Sequence, residues 1–405
     1  MHVPSSDVYP ELKVEPAGIW FVPAKGADTH AILLKSPSNI LKAFIKGASI
    51  KLGFSLKDTP SGKVLMSVMY IKDDKDAPAI TISPHIQRFQ QVALAEILSL
   101  RARTPIFFYD ELARNIAEAE CEFDGNKENV ISLIGNVNDL YVGEPNSDVI
   151  GVIDYLEGIA EGVIINNPRA LKQIVVTELT LNQFNEFDLY TAGLREVERF
   201  SIADKDEGGG LEQSAWHLLE SLFQDKIYRS PRVVQGNEVR ELTDILATSD
   251  YGIFLIESKV TAVLSISKEQ TASRRAKNIE TQIRKALGQL VGAVKSIQKS
   301  LQIITSDGQE IEINREILPH AIVLISEMYP AIDWSTITIE LFKTTIKSKA
   351  VFHILDLREL VMLVGGSKTV NLFDHFLMER AEEVVNMRNA FVRTKFIKDK
   401  TELYS

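Results

Sequence analysis

The order of apolar patterns after residue 210 is the feature that most constrains the fold of this chain. Apolar residues recur there at helical spacing in some segments and form short continuous runs between turn residues in others. The pattern predicts helix 211–223, strands 238–247 and 251–260, helix 276–297, strands 320–326 and 350–357, and helix 371–391. Helices interleaved with apolar strands are typical of an α/β sandwich around a mixed sheet.

The first half of the chain has a different pattern. Apolar runs bounded by Gly, Pro and Asp dominate the first 90 residues and predict strands, a helix is expected over 86–101, and a helical stretch over 110–119. Segment 204–210 is polar and ends in three glycines, so we place the domain boundary there. The sequence therefore predicts a β-rich α+β module over 1–205, of unassigned targeting or regulatory role, and an α/β domain over 206–405.

Length and composition limit the class of protein. A chain of 405 residues is long enough for about two or three domains. No apolar run reaches the roughly 18 residues that span a bilayer, and the first residues lack the basic stretch and apolar core of a signal peptide. Cys121 is the single cysteine, which excludes an internal disulfide and a thiolate metal cluster. We expect a cytoplasmic protein without a membrane partner.

Charge is distributed unevenly along the chain. The net charge is −10, yet residues 265–300 hold eight basic and two acidic residues, which is +6 locally. A basic stripe in an acidic protein suits the binding of phosphates at one place, and a solvated helix face is the alternative. The predicted nucleic-acid contacts in this stripe are Lys268, Arg274, Arg275, Lys277, Arg284 and Lys285.

Three polar residues at the ends of the two central strands carry the predicted chemistry. Asp244 and Glu257 lie at equal distances from the turn near residues 250–251, so a hairpin would place them on neighbouring strands. Lys259 follows Glu257 by two residues and projects from the same face. Burying two carboxylates together is costly unless their charge is compensated.

A hard divalent cation would compensate these charges. Mg²⁺ binds through one or two carboxylates, water and a substrate phosphate, and we expect Mn²⁺ to substitute for it. A bound cation of this kind lowers the pKa of its water, which can then attack phosphorus. Lys259 could position or deprotonate that water, or neutralise the charge of the transition state. The residue types and spacing thus predict the hydrolysis of a phosphodiester.

This constellation resembles the PD-(D/E)xK nucleases of the restriction-endonuclease-like superfamily, in particular the branch of Holliday-junction resolvases and Mrr-type enzymes. The matching motifs are GGGLEQ with Glu212, ELTD with Asp244, FLIESK with Glu257 and Lys259, and IRKALGQL with Gln289. The resemblance covers the C-terminal half only. It implies that Asp244, Glu257 and Glu212 bind the metal, that Lys259 is catalytic, and that Gln289 orients substrate or water.

The resemblance also carries expectations about fold and substrate. It implies a restriction-endonuclease-like sandwich in the C-terminal half and a DNA endonuclease, with RNA as the second substrate class. A place in restriction or antiviral defence follows by analogy of fold, and a homodimer or larger assembly is expected because one site cuts one strand. The sequence departs from the motif at Thr243, which stands where many members have proline.

Several alternatives remain open at the level of sequence. Glu220 lies on the same predicted helix as Glu212, about 80° round its axis, so only one of the two is expected to face the site. His217 is predicted to be a packed core residue rather than a metal ligand. Asp244, Glu257 and Lys259 could also form a structural salt-bridge cluster. The protein would then be a catalytically inactive, nucleic-acid-binding or assembly subunit.

Overall fold

The structure is a computed structural model and describes residues 3–24, 30–73, 78–99, 103–193, 197–260 and 271–393. The chain divides into two compact units. The first runs to Leu189 and includes Ser201–Ala203. The second comprises Tyr190–Phe200 and the described residues from Asp204 onward. Both units combine helices with β-sheet, so the fold class is mixed α/β, as predicted for the chain as a whole. None of the described helices is long and apolar enough to span a membrane.

The first unit is built on an eight-stranded sheet in the order β1-β2-β6-β7-β8-β3-β4-β5. Its elements are α1 (Tyr9–Val14), β1 (Gly18–Pro23), β2 (His30–Lys35), α2 (Ser38–Ile45), β3 (Ile50–Thr59), β4 (Gly62–Ile71), β5 (Ala79–Pro84), α3 (Arg88–Ser99), β6 (Thr104–Tyr109), β7 (Asn115–Gly125), α4 (Lys127–Ile134), α5 (Ser147–Ile164), α6 (Pro168–Leu171) and β8 (Val175–Glu186). Strands β2 and β6 pair in parallel, whereas the other neighbouring pairs are antiparallel. The predicted β-rich character of the first 90 residues is confirmed by β1–β5.

One segment of the first unit contradicts its predicted structure. The helix expected over 110–119 is wrong, because β7 begins at Asn115. Its alanines and glutamates have high helix propensity, but apolar and polar residues alternate from Ala117 to Phe123 with the period of a strand. Pairing with β6 and β8 on both sides outweighs the intrinsic preference of the residues.

The second unit contains a five-stranded mixed sheet in the order β11-β14-β15-β17-β18. The elements from the end of β8 onward are β9 (Asp188–Ala192), β10 (Val197–Ser201), α7 (Glu207–Phe223), β11 (Ile227–Arg229), β12 (Arg232–Gln235), β13 (Glu238–Glu241), β14 (Ile245–Thr248), β15 (Ile253–Lys259), α8 (Ala272–Gln298), β16 (Gln302–Ile304), β17 (His320–Ile325), α9 (Trp334–Ser348), β18 (Val351–Asp356), α10 (Leu357–Gly366) and α11 (Val370–Met387). Strands β11, β14 and β15 are antiparallel, and β15, β17 and β18 are parallel.

Helices cover both faces of this sheet. Helices α8 and α9 pack on one face, in a core with Leu255, Val323 and Ile354, and α7, α10 and α11 supply most of the core on the other, with Phe254, Ile322 and others. Alternate residues of each buried strand thus enter different cores. The mixed sheet expected for this half of the chain is present, and helices α9 and α10 are additional to the predicted elements.

The predicted strand 238–247 is wrong as a single element. It divides into β13, which belongs to a three-stranded sheet in the order β13-β12-β16, and β14, which belongs to the five-stranded sheet. Leu242, Thr243 and Asp244 lie between the two strands. Leu242 is buried in the core beneath α8, and its N–H donates to the carbonyl of Pro231. The chain therefore passes from one sheet to the other immediately before the predicted acid.

Candidate active site

The β14–β15 hairpin brings the two predicted carboxylates to the same edge of the sheet. Ile245 pairs with Ile256 in antiparallel register, so one position further the backbones of Asp244 and Glu257 oppose each other. The backbone N–H of Ser258 donates to Oδ2 of Asp244 at 2.6 Å. This bond fixes the Asp244 side chain against the strand that carries Glu257.

Lys259 lies against Glu257 at the end of β15. Its Nζ is 2.7 Å from Oε1 of Glu257 and 3.0 Å from the Ser258 carbonyl oxygen. The Lys259 side chain is 15% exposed and that of Glu257 is 3% exposed, so solvent reaches the ammonium group more readily. Lys259 can therefore approach a molecule bound at this edge without unfolding the strand.

Helix α7 supplies the third predicted carboxylate. Burial and the neighbouring Asp244 charge raise the pKa of Glu212 to about 7, while the positive charges of Arg229 and Lys259 oppose this rise. These interactions place Glu212 beside the β14–β15 edge. Glu220 instead lies 3.7 Å from Nδ1 of His217, so of the two α7 glutamates it is Glu212 that shares the charges of the edge.

The carboxylates of Asp244 and Glu257 at this edge have pKa values raised above their ordinary range. Burial raises the pKa of Asp244, although the Ser258 N–H and the Lys259 charge act in the opposite direction. Burial and the charge of Asp244 also raise the pKa of Glu257, and its hydrogen bond from Lys259 opposes that change. Raised pKa values mean that the ionised forms are under-compensated by the protein's own donors. An added cation would relieve this deficit.

Residues beyond the predicted set contribute to the same edge. The charge of Glu241 raises the pKa of Asp244, Glu257 and Glu212. Arg229, at the end of β11, opposes the shift at Glu212. Glu241 precedes Asp244 by three residues in a strand-like pattern and could have been suspected from the sequence. Arg229 had no such signal, because its proximity depends on the pairing of β11 with β14.

Thr243 takes a definite role in place of the proline of the motif. Its side chain is buried, and Oγ1 donates to the Ile256 carbonyl oxygen at 2.7 Å. The same hydroxyl lies 3.4 Å from Oε2 of Glu257. Thr243 thus ties the segment before β14 to β15 directly behind the carboxylates.

The basic stripe divides into paired and exposed residues. Arg275 forms an ion pair with Glu327 at 2.6 Å and stacks over Tyr329, and Arg284 pairs with Glu340 and Glu280. The predicted contacts that are exposed on α8 are Arg274, Lys277, Lys285 and the paired Arg284. Lys268 lies outside the described residues. Two of the predicted phosphate contacts, Arg275 and Arg284, are thus already paired with acidic residues.

The start of α8 lies at the same edge as Lys259. The N–H of Ser326 donates to the carbonyl of Lys259 at 3.2 Å, and the next residue, Glu327, binds Arg275 in the second turn of α8. Exposed Arg274 and the positive end of the helix dipole therefore lie near the acidic edge. Phosphate groups entering this edge would meet both.

Gln289 lies further along α8 than the residues beside the acidic edge. It is exposed on α8, fourteen residues beyond Arg275, and an α-helix advances about 21 Å over that length. Within the described part of the chain, no hydrogen bond joins it to Asp244, Glu257 or Glu212.

The described carboxylates at this edge do not by themselves form a complete binding site for a hard cation. Among the described residues, no three His, Cys, Asp or Glu side chains form a ready metal-binding group. Mg²⁺ differs from ions that need a complete protein cage, because it keeps several waters and binds through one or two carboxylates together with substrate phosphate. Asp244 and Glu257, which are adjacent and under-compensated, meet that smaller requirement.

Comparison with family models, with curated proteins and with solved structures finds no match to this chain. The inference of function therefore depends on the chemistry and geometry of the residues themselves.

Proposed function

We propose that this protein is a Mg²⁺-dependent nuclease that hydrolyses phosphodiester bonds, with DNA as its main substrate. The observation that carries the proposal is the position of Asp244 opposite Glu257, with Lys259 and Glu212 at the same buried edge. DNA rather than RNA, and a role in restriction or antiviral defence, are taken from the resemblance to PD-(D/E)xK nucleases.

Each residue has a distinct part in the proposed reaction. Asp244 and Glu257 would hold the cation, and Glu212 would assist. When bound, Mg²⁺ supplies Lewis acidity, which lowers the pKa of water and offsets charge on the phosphate. Ser258, through its N–H, keeps one oxygen of Asp244 in place. Lys259 would exchange its ion pair with Glu257 for a phosphate oxygen and stabilise the charge that develops during in-line attack.

A metal-dependent cleavage assay tests the proposal. Supercoiled plasmid, linear duplex DNA and single-stranded RNA would be incubated with the full chain in Mg²⁺, Mn²⁺ or EDTA. We expect cleavage with either metal and none in EDTA. Asp244→Asn and Glu257→Gln should each lower the rate about 100-fold or more, whereas Glu238→Gln, on an exposed residue of β13, should cut like the wild type.

Three results would contradict the proposal in different ways. Cleavage that continues in EDTA would exclude metal dependence. Either site variant cutting at the wild-type rate would place the active site elsewhere. Binding of DNA by the wild type without cleavage under either metal would favour the non-catalytic, nucleic-acid-binding alternative.

A further inference from the structure

Arg229 is a cation at the acidic edge whose role the proposed reaction leaves open. It pairs with Ile245 at the end of β11, and the next N–H, that of Ser230, donates to the carbonyl of Asp244 at 2.7 Å. The Arg229 backbone therefore lies beside the start of β14, which Asp244 immediately precedes. Its charge also reaches Glu212 on α7, so the guanidinium lies near one proposed metal ligand, and its backbone lies beside the segment that carries another.

Glu198 of β10 holds the guanidinium in this position. Nη1 of Arg229 is 2.5 Å from Oε1 of Glu198, and the other Glu198 oxygen lies 3.0 Å from Nε2 of His217. The amide of Gln213, also on α7, donates to the neighbouring Arg199 carbonyl oxygen at 3.2 Å. The Glu198 side chain is 13% exposed, so the anchor itself is nearly buried. The contact with His217 holds the Glu198 carboxylate against α7 and so limits where the arginine can lie.

The geometry leaves Arg229 able to bind a further anion. A guanidinium has five N–H donors, of which the Glu198 contact uses few, and the side chain is 36% exposed. Arginine matches the paired oxygens of a phosphate better than lysine does. Because the guanidinium lies near Glu212, it could reach a phosphate held by a cation at this edge.

We infer that Arg229 contacts a non-bridging phosphate oxygen of the bound nucleic acid, and that Glu198 is the positioning residue that aims it. The inference rests on the proposed nuclease function. The alternative is a purely structural role, in which Arg229 only compensates the charges of Glu198 and Glu212. The two roles differ because phosphate binding depends on salt and affects substrate affinity, whereas a structural ion pair affects folding.

Binding and turnover of one substrate separate these roles. The probe is a short fluorescein-labelled DNA duplex, with its affinity measured by anisotropy in EDTA over a range of KCl, and its KM and kcat measured in Mg²⁺. The variants are Arg229→Gln, Arg229→Lys and Glu198→Gln. Arg232→Gln is the matched control, because Arg232 is an exposed arginine on β12, the next strand along the chain. Melting temperatures of all variants would be recorded in parallel.

We expect Arg229→Gln to weaken binding about tenfold and to lower the log–log salt slope by about 0.9, the value for one lost phosphate contact. Arg229→Lys should restore the slope but not kcat, since an ammonium group lacks the paired donors. Glu198→Gln should keep the slope and lower kcat severalfold. Arg232→Gln should leave the affinity, slope and kcat unchanged.

The inference and the proposed function fail in different ways. If Asp244→Asn abolishes cleavage but Arg229→Gln keeps the wild-type affinity, slope and KM, the inference is overturned and the nuclease stands. If Arg229→Gln changes only the melting temperature, its role is structural. If the wild type does not cleave, the proposed function fails, and a normal salt slope for Arg229→Gln then also excludes the phosphate contact.

Discussion

Two acidic clusters of this molecule, one in each unit, lie at the ends of buried strands and differ in how their charges are compensated. In the first unit, Asp110 follows β6, is fully buried, and accepts N–H groups from Leu112 and from the backbone and side chain of Arg114. In the second, Asp244 accepts one N–H, from Ser258, among the described residues.

The charge around the two aspartates differs in the same sense. Arg114 lies 2.7 Å from Asp110 and compensates it within four residues of sequence. The edge of the second unit gathers four carboxylates, Glu212, Glu241, Asp244 and Glu257, against two cations, Lys259 and Arg229. A buried carboxylate whose charge is paired within the protein stabilises the fold. Carboxylates that outnumber the nearby cations favour the binding of an external cation. The contrast is therefore between the two aspartates: the charge of Asp110 is paired within the protein, and that of Asp244 is not paired to the same extent.

The largest expected effect on stability tests the structural cluster. Asp110→Asn removes the carboxylate that pairs with the Arg114 guanidinium and replaces an oxygen that accepts N–H groups by an amide. The free energy of unfolding should therefore fall by about 3 kcal/mol. Urea denaturation measures this change. Asp148→Asn is the control, because Asp148 accepts its hydrogen bonds from Ser61 at an exposed site. Loss of cleavage by folded Asp110→Asn protein would show that the first unit takes part in the chemistry.

A pH-dependent effect is expected beside Asp110. Burial and the charge of Asp110 raise the pKa of Glu111 from 4.5 to about 7, and Ser38 donates to Oε1 of Glu111 at 3.0 Å. Because the unfolded chain releases this proton first, stability is fully present below about pH 4.5 and is lost as the pH rises towards 7. The loss amounts to about 3 kcal/mol.

Glu111→Gln tests that prediction. Glutamine keeps an acceptor for Ser38 and cannot ionise, so the variant should lose less stability than the wild type between pH 4.5 and 7. The measurement is the free energy of unfolding across this range. Parallel pH profiles of the two proteins would mean that Glu111 ionises in the folded state as it does in the unfolded chain.

The smallest effect concerns the edge of the second unit without metal. At pH 8 in EDTA, Asp244→Asn removes one of several crowded charges, so its melting temperature should equal that of the wild type or exceed it by about 2 °C. Mg²⁺ should raise the melting temperature of the wild type and not that of the variant. Differential scanning fluorimetry measures both. A variant several degrees less stable than the wild type in EDTA would make Asp244 a structural residue like Asp110.

The sequence was sufficient to predict the hairpin and its polar ends. Equal spacing of Asp244 and Glu257 from one turn determines their register, because antiparallel pairing conserves that symmetry. The sequence pattern gave a wrong prediction where pairing with distant strands decides the secondary structure. In β7 the residues have high helix propensity, but the segment pairs with a strand on each side. The break at Leu242 and Thr243 was equally hidden, since an apolar–polar pattern does not show which sheet a strand joins.

The surroundings of the candidate site were less predictable than its centre. Arg229 and Glu198 reach the edge from other strands, and no spacing in the sequence relates them to Asp244. Gln289 was predicted from a motif, and a motif match does not show which turn of the helix lies beside the carboxylates. Residues within one hairpin are therefore better constrained by sequence than those that meet only through packing.

The passage of the chain between two sheets at residues 242–244 has a consequence for how this protein tolerates change. Leu242 is seated in the core beneath α8 while Asp244, two residues later, opposes Glu257. A displacement of about 1 Å at a reacting group can cost 100-fold in rate. Substitutions of apolar residues packed around Leu242 would displace Asp244 through two peptide units, so the proposed nuclease activity should be lost before the fold is.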